Sequence, residues 1–551
     1  MIDINVNYLE RLAKADLDDG VYEEIHTRFP PEPNGYLHIG SAFAINTSYQ
    51  MAKKLGGKFN LRFDDTNPKK EDYEYVNAII EDMKWLGFDF EDRLFFGSDY
   101  SDQLFDYAVY LIKKGSAYVC DLSSGEIREY RGTLTSKGRN SPYRNRSIEE
   151  NLDLFFKMKE GHFKEGERIL RAKIDMESPN MSLRDPVIYR ISYTPHYRTG
   201  TDWCIYPLYD YAHPIQDYIE GISHSLCSFE FINNKPLYDW VINELDLKPP
   251  LPKQIEFGRV NLTGVVTSKR HLRTLVEHKI VDGWDDPRLA TLQGLRRRGY
   301  TKDAILKFLN EVGVSKGKSM IDFSMLEQTL RQDLKPKVPA IMSVLSPLKV
   351  VITNLPDDYK EYLDATNNPS NSELGSRRIP FTKTLFIERD DFSEHPPKKF
   401  KRLVQGKEVR LKHAYFIKCN EVIKDENGKV IELHCTYDKE TKSGTGFTGR
   451  KVKGTIHWVS EDYGVKSEVR IYNDLFSDLP DSDNILDIIN PNSVEINKAV
   501  IEPAILDFDH FTHFQFIRHG YFVKDSKLSV TNNDLLVFNR SVSLKSSYKK
   551  K

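Results

Sequence analysis

The strongest chemical signal in the sequence is Thr27-Arg28-Phe29-Pro30-Pro31-Glu32-Pro33-Asn34-Gly35-Tyr36-Leu37-His38-Ile39-Gly40-Ser41. Three prolines, an Asn-Gly pair and a further glycine precede a helical stretch, so the chain makes a stiff, tightly turned approach to a helix N-terminus. Such a place suits phosphate: free backbone N–H groups and the helix dipole favour an anion, and glycine lets it approach the backbone. His38, beside Gly40, is then placed to donate to phosphate oxygens as charge builds in a transition state. A lone histidine before a glycine is more often structural; the surrounding prolines and glycines favour the chemical reading. A second string, Gly264-Val265-Val266-Thr267-Ser268-Lys269-Arg270, sets a hydroxyl, an ammonium and a guanidinium in succession on a loop. Lysine is a compact charge on a flexible stem that can follow a phosphate through a reaction, whereas arginine holds an oxygen pair in a fixed fork. Taken alone, this second string reads as an ordinary basic surface turn.

Both strings need a scaffold. Up to about residue 345, apolar residues recur at helical spacing in NTSYQMAKKLG, YVNAIIEDMKWLG, QLFDYAVYLIKKG and TKDAILKFLNEVG, several ending at glycine as helix C-termini do. Short strand-like pieces such as Lys58–Phe63 lie between them. The alternation predicts an α/β core with a parallel sheet, followed by a helical region. From about residue 346 strand signals take over, in LKVVITNL, IPFTKTLFIER, EVRLKHAYFIKCNEVIK, VIELHCTYD, TIHWVS, EVRIYNDLF and HFQFIRHGYFVKD. Asp425–Lys429 holds an Asn-Gly hairpin turn between two of them. This last third predicts one or two antiparallel β-barrels or sandwiches. No repeat of fixed period is present, and only the Lys-rich end, SLKSSYKKK, reads as disordered.

At 551 residues the chain has room for three or four domains of about 150 residues each. With 39% hydrophobic and 29% charged residues and a mean hydropathy of −0.53, it reads as soluble and globular. Five widely spaced cysteines without a C-x-x-C pair exclude a disulfide scaffold and point to a reducing compartment without structural zinc. The N-terminus lacks a basic-then-apolar signal pattern, and no apolar run approaches the roughly 20 residues of a membrane helix. A cytoplasmic protein without a membrane partner is the expectation. The net charge of −2 gives no hint of a polyanion, but charge averaged over domains hides opposed faces. Residues 60–102 carry five basic and twelve acidic side chains, residues 260–350 come out at +7, and residues 395–413 at +6. Any one run fits a solvated face; two separated basic regions favour an extended anionic partner.

The pairing of TRFPPEPNGYLHIGS with VTSKR resembles the HIGH and KMSKS signatures of class I aminoacyl-tRNA synthetases. The resemblance extends through LRFDDTNPKKEDYEYV, REYRGTLTSKGRNSPYRNRSIEENL, WCIYPLYDYAH, EGISHSLCSFEF, GWDDPRLATLQGLRRRGYT, KRLVQGKEVRL and GRKVKGTIHWVS to the glutaminyl branch of the glutamate and glutamine subfamily. The strand-rich last third is similar to members with β-barrel anticodon domains, in contrast to bacterial glutamyl-tRNA synthetases, whose C-terminal region is helical. The implied architecture is a Rossmann-type catalytic fold split between residues 1–98 and 211–259. An acceptor-end insert occupies 99–210, and a helical stem-contact part carrying the Ser-Lys-Arg loop occupies 260–338. A proximal anticodon-binding β-barrel is built from 339–390 with 475–551, and a distal one from 391–474.

The resemblance implies two steps. Glutamine's carboxylate attacks the α-phosphate of ATP, which is accompanied by Mg2+, and the aminoacyl group then passes to the 2′-hydroxyl of the terminal adenosine of tRNA(Gln). The first step needs bound tRNA, and the family is usually monomeric. Glu32, Pro33, Asn34, His38, Gly40, Ser41, Ser228, Arg259 and Val260 match ATP contacts, and Thr267, Ser268 and Lys269 match the mobile loop that stabilises charge on the phosphates. His38, Ser41, Ser268 and Lys269 are the implied catalytic set, with positioning and positive charge supplying the rate and no nucleophilic side chain. Asp64 matches the partner of the glutamine ammonium and Tyr209 the partner of the side-chain amide. Without the resemblance, Asp64 and Asp65 read first as a cap on the following helix, and Tyr209 as a core aromatic. Glutamate-specific relatives typically have Arg where this chain has Cys227, so a neutral residue there favours glutamine. Lys401, Arg402, Arg410, Lys412 and Gln515 match anticodon contacts, although Lys412 reads equally as a solvated strand residue.

Three departures stand out. Ser41 replaces the second histidine of the HIGH motif, Thr267 stands where Met is usual, and Ala340 and Lys399 stand where Arg and Gln are frequent near the anticodon. Two other readings are therefore weighed against a glutamine enzyme: a glutamyl or dual-specificity synthetase, and a catalytically impaired tRNA-binding homologue.

Overall fold

The structure, a computed structural model, describes residues 6–477, 485–531 and 535–545. Most of the Lys-rich end expected to be disordered lies outside the described residues. The chain divides into two units, Met1–Thr263 with Leu309–Ile321, and Gly264–Phe308 with Asp322–Lys551.

In the first unit, helix α1 (Tyr8–Asp18) leads to strand β1 (His26–Phe29), helix α2 (Ile39–Lys54), strand β2 (Lys58–Phe63), helix α3 (Tyr73–Leu86) and strand β3 (Leu94–Phe96). The three strands are parallel neighbours in the order β1-β2-β3. Residues 59–63 of β2 are all buried, as expected of a strand covered on both faces. Helix α3 opens on Asp72, whose side chain accepts from Glu74 N–H, and closes on Gly87 at φ +79. That left-handed residue turns its N–H back onto the last carbonyls, which is why the expected helix ends there.

The chain then leaves this sheet. Helices α4 (Ser101–Lys114), α5 (Ser124–Arg131) and α6 (Ile148–Lys159) accompany an antiparallel sheet β4-β5-β6-β7, formed by Ala117–Cys120, Ile169–Ala172, Val187–Ile191 and Ile205–Pro207. Phe105, Phe155 and Tyr189 centre its core, the two phenyl rings stacked at 4.8 Å. The return path is α7 (Tyr209–Ile219), β8 (His224–Ser228), α8 (Lys235–Glu244) and β9 (Lys253–Phe257), with β8 and β9 parallel. Ser223 N–H donates to His26 O at 3.0 Å, so β8 lies beside β1 and the strands succeed one another as β3-β2-β1-β8-β9. The order reverses between β1 and β8, where an α/β sheet opens a crevice at the carboxyl ends of its strands. Strand β10 (Val260–Leu262) pairs in parallel with β11 (Ser319–Ile321).

The second unit carries helices α9 (Lys269–Glu277) and α10 (Leu292–Arg297), the first part of α11 (Lys302–Val312), and α12 (Phe323–Leu334). They precede strands β12 (Ala340–Ile341), β13 (Ser343–Val344), β14 (Pro347–Ile352), β15 (Lys360–Thr366), β16 (Ser376–Thr382) and β17 (Thr384–Glu388). Strands β18 (Glu408–Leu411), β19 (Phe416–Lys424), β20 (Val430–Asp438), β21 (Thr455–Ile456), β22 (Trp458–Ser460) and β23 (Val465–Tyr472) follow. The last four are β24 (Val494–Ile501), β25 (His513–Phe516), β26 (Gly520–Lys524) and β27 (Leu536–Val542). Two seven-stranded sheets result, in the orders β12-β25-β26-β27-β23-β24-β13 and β21-β18-β19-β20-β14-β17-β22.

In each sheet the two end strands are consecutive in the chain, separated only by Met342 in one and His457 in the other. Each sheet therefore nearly closes on itself, which removes free edges. The Asn-Gly hairpin joins β19 to β20, with Gly428 at φ +77 and its N–H on Asp425 O. Sheet membership crosses the boundaries expected near residues 391 and 475. β14 pairs with β17 and β20, in the sheet of β18–β22, and β23 pairs with β24 and β27 in the other. Of these pairings, β14 with β20 spans 83 residues and β23 with β27 spans 69, distances that no local pattern announces.

Candidate active site and nucleic-acid interface

At the carboxyl ends of β1, β8 and β9 lies a cavity of about 380 Å³, lined by Arg28, Phe29, Pro30, Glu32, Ala44, Ser48, Asp64, Tyr209, Leu226, Cys227, Ser228, Phe231 and Phe257. Of the residues expected at a site, it gathers Glu32, Asp64, Tyr209 and Ser228, together with Cys227. Asp64 is 4% exposed. Its Oδ1 accepts Arg62 Nε at 3.0 Å, whereas its Oδ2 is buried with no partner. Burial pushes this carboxyl up to about 7 against the opposing pull of Arg62. A buried carboxylate oxygen in a cavity wall without a donor is what an incoming ammonium requires. The helix-capping alternative is set aside, because the cap of α3 is Asp72.

The floor of the cavity is a charge network that the sequence reading did not identify. Arg28, completely buried, donates from Nε to Asp217 Oδ1 (2.9 Å), from Nη1 to Leu226 O (2.9 Å) and from Nη2 to Ser225 Oγ (2.8 Å). Arg62 Nη1 reaches the same Asp217 oxygen at 2.9 Å, and Tyr238 donates its hydroxyl to Oδ2 at 3.1 Å. Burial favours the protonated form of Asp217, yet the Arg28 and Arg62 guanidiniums hold it well below the usual carboxylate range. His213 faces Arg28 at 3.1 Å and Arg62 at 3.3 Å, and burial lowers it to about 3, so the ring is neutral. Tyr209 stacks on that ring at 4.8 Å, which fixes the plane of its phenol. Burial also raises the Cys227 thiol, keeping it uncharged.

The histidine–glycine string adopts the expected helix entry. His38 is the N-cap of α2: its Nδ1 accepts Ser41 N–H at 3.3 Å, and Ser41 Oγ accepts His38 N–H at 3.4 Å. Ser41 therefore completes a reciprocal capping box, a use of its hydroxyl that the sequence reading did not foresee. A Cβ at Gly40 would lie 2.9 Å from the His38 ring and 3.9 Å from Val260 O, so glycine lets the imidazole fold over the helix end near β10. Pro31 O accepts Asp64 N–H at 3.0 Å and Pro33 O accepts Asp72 N–H at 3.1 Å, tying the proline loop to the turn after β2. Asn34 donates to Glu32, and Arg259 and Ser228 both donate to Glu230, at 2.6 and 3.5 Å. Thr267, Ser268 and Lys269 belong to the second unit, where Ser268 is the N-cap of α9 and Lys269 its first residue.

In the second unit, Lys401 and Arg402 line an open cavity of about 570 Å³ with Pro397, Lys399, Phe400, Gly454, Thr455 and Arg518. Arg410 lies outside that lining. Its guanidinium donates to Thr441 O and Ser443 Oγ, at 3.0 and 2.9 Å, and sits 4.2 Å from the Phe416 ring. Lys412 is half-buried, which lowers its pKa and removes the solvated-strand reading. Gln515 is the register partner of Ala340 across β25 and β12. Arg518, missed in the sequence, is held by Asp391 through both carboxylate oxygens at 2.6 and 2.7 Å. Among the described residues one trio, Glu388, His457 and His519, has the spacing of a metal site. Glu388 there accepts from Leu345 N–H and His519, and Arg518 donates to His457 Nδ1 at 3.3 Å, while His457 Nε2 is buried without a hydrogen-bond partner.

Residues 24–336 match the family described as tRNA synthetases class I (E and Q), catalytic domain. Residues 339–438 and 455–525 match two anti-codon binding domains of the same group. The chain belongs to the class I tRNA synthetases (E and Q). It is similar to the glutamine–tRNA ligase of Clostridium perfringens, 54% identical over 548 residues covering 99% of each chain. It is similar also to those of Clostridioides difficile, at 55% with 98% of each covered, and of Haemophilus influenzae, at 51% with 98% of this chain and 97% of that one covered. In such a synthetase the α/β unit carries the catalytic fold and the two nearly closed sheets fall in the anticodon-binding part.

Proposed function

We infer that the protein is a glutamine–tRNA ligase, activating L-glutamine with Mg2+-bound ATP and passing it to the 2′-hydroxyl of the terminal adenosine of tRNA(Gln). The observation that carries this reading is the pairing, in one cavity, of an unpartnered buried Asp64 oxygen with a neutral Cys227. Asp64 takes the glutamine ammonium and Tyr209, held flat on His213, takes the side-chain amide. Each nitrogen of Arg28 already has a partner within the chain and its charge is paired with Asp217, so a glutamate carboxylate finds no unpaired cation there. The buried polar groups thus discriminate by leaving the wrong substrate unsatisfied.

Glu32, Pro33, Asn34, His38, Gly40, Ser228, Arg259 and Val260 receive ATP, with His38 and the N–H groups of α2 toward the phosphates. Ser41 contributes by holding His38 at the helix cap. Thr267, Ser268 and Lys269 provide the loop that meets charge on the α-phosphate and pyrophosphate. Catalysis consists of alignment of the glutamine carboxylate and electrostatic stabilisation, without a protein nucleophile. Lys401, Arg402, Arg410, Lys412 and Gln515 read splayed anticodon bases, and residues 99–210 receive the acceptor end.

The glutamyl and impaired readings are not favoured by full-length relatives at 51–55% identity that are glutamine–tRNA ligases. Among the described residues no helix is long and apolar enough to cross a membrane. We place the enzyme in the cytoplasm as a monomer without zinc, which size measurement and metal analysis of the purified protein test. ATP–pyrophosphate exchange tests the catalytic reading. Exchange should require glutamine and tRNA and be lost in Lys269→Ala, and exchange equal to that variant's in the unaltered protein would refute it.

A further inference from the structure

Asp65 follows Asp64 in the turn after β2 and is 1% exposed, yet it does not line the cavity. Its carboxylate accepts Ser98 N–H (2.7 Å), the Ser98 hydroxyl (2.8 Å) and the Tyr197 hydroxyl (3.0 Å). Its carbonyl oxygen meets His196 Nε2 at 2.8 Å. Arg198 and Thr199 N–H groups donate to His196 Nδ1, at 3.2 and 3.3 Å, so Nε2 carries the proton and donates to Asp65. Arg198 closes the same joint, with Nη1 on Ser98 Oγ (2.6 Å) and Asp99 (2.9 Å) and its guanidinium 3.8 Å from the Phe96 ring centre. The Tyr197 ring meets Tyr73, at the start of α3, edge-on at 4.8 Å.

Residues 196–199 belong to the connection between β6 and β7. One loop of the antiparallel sheet is therefore plugged into the turn that presents Asp64, and nearly every polar group of the plug converges on Asp65. Beyond the plug, the far end of the turn is held by Asp72 N–H on Pro33 O, and Asp64 itself by its N–H on Pro31 O. Losing the plug leaves Asp64 aimed by that bond and by Arg62 alone. A misplacement of about an ångström at a charge-paired substrate group is costly, because the pair must be desolvated and aligned together.

We propose that Asp65 is a positioning residue for glutamine: through Tyr197 and His196 it locks the β6–β7 loop against the turn after β2 and so aims Asp64 at the substrate ammonium. The inference rests on Asp64 as the ammonium acceptor. Asp65 touches no substrate and acts only through its neighbour.

The test is ATP–pyrophosphate exchange in the presence of tRNA(Gln), with glutamine and ATP varied separately, for Asp65→Asn, Tyr197→Phe and Asp64→Asn. Asp65→Asn should raise the KM for glutamine about tenfold and Tyr197→Phe about threefold, as expected for lost bonds to a buried carboxylate. The KM for ATP should stay within about twofold, a split that a general loss of folded protein does not produce. Tyr197→Phe removes a single hydroxyl from a half-buried ring and keeps the test open if Asp65→Asn does not fold. Glutamine KM unchanged in both variants, or glutamine and ATP KM rising together, overturns the proposal. If Asp64→Asn raises the glutamine KM and Asp65→Asn does not, this inference alone fails; if Asp64→Asn leaves it unchanged, the reading of Asp64 fails with it.

Discussion

Lowering the pH should weaken glutamine binding in a manner set by Asp64. Burial pushes this carboxyl up to about 7 in the free protein, against Arg62, and only the ionised form pairs with the substrate ammonium. The raised pKa means the carboxylate is present above about pH 7 and is lost as pH falls. For a single titrating group, roughly nine-tenths of sites are competent at pH 8 and roughly one-tenth at pH 6. The KM for glutamine should therefore rise about fivefold between pH 7 and 6 and about tenfold per unit below that, while kcat changes little, because the bound ammonium favours the ionised form. Asp64→Asn should flatten the profile and, by leaving a buried ammonium unpaired, cost on the order of 3–5 kcal/mol, roughly a hundred- to several-thousand-fold in kcat/KM. Tests use tRNA-dependent exchange between pH 5.5 and 8.5. Glu71 is also raised to about 7 by burial but does not line the cavity, so Glu71→Gln should retain the pH dependence. A glutamine KM indifferent to pH, or a loss below tenfold in Asp64→Asn, refutes the reasoning.

Other expectations follow from the same site. Cys227→Arg places a second guanidinium against Arg28, whose Nη2 lies 3.9 Å from the thiol sulfur. The added like charge in a buried site should depress glutamine charging by at least about a hundredfold and shift preference toward glutamate, whose carboxylate neutralises the pair; an unchanged ratio contradicts this. Ser41→His removes the Ser41 half of the capping box, one hydrogen bond worth about 0.5–1.5 kcal/mol of stability, and offers a transition-state donor worth up to roughly a hundredfold in rate. Faster exchange with a lower melting temperature is expected, and an unchanged rate would mean His38 and its cap already suffice. Lys401→Gln should weaken tRNA binding and reduce the salt slope by about 0.7, the value for one phosphate contact on a single strand, with an unaltered slope arguing against contact.

Much of the site was legible because its residues sit in one short string or beside a turn. His38 and Gly40 are announced by local chemistry and Asp64 by the resemblance alone, and the structure puts Asp64 in a cavity wall and His38 on a helix cap. Arg28, Arg62 and Asp217 were not legible. They join across 155 to 189 residues, and a charged residue inside an otherwise apolar strand reads as a flaw until its partner is known. Ser41 looked like a lost catalytic group, and only its geometry reveals a capping partner. The strand-rich last third was evident from alternation, but the assignment of β14, β17 and β23 to sheets was not, since pairing partners are chosen by three-dimensional closure. Arg518 escaped for the same reason: its meaning comes from Asp391, 127 residues away.

The central claim is glutamine specificity in aminoacylation. Its most direct test is charging of tRNA(Gln) by the purified protein with glutamine and glutamate in parallel, each over a concentration series. Efficient charging with glutamine and a kcat/KM for glutamate lower by orders of magnitude is the expected result. Equal charging with both amino acids, or charging with glutamate alone, would contradict it.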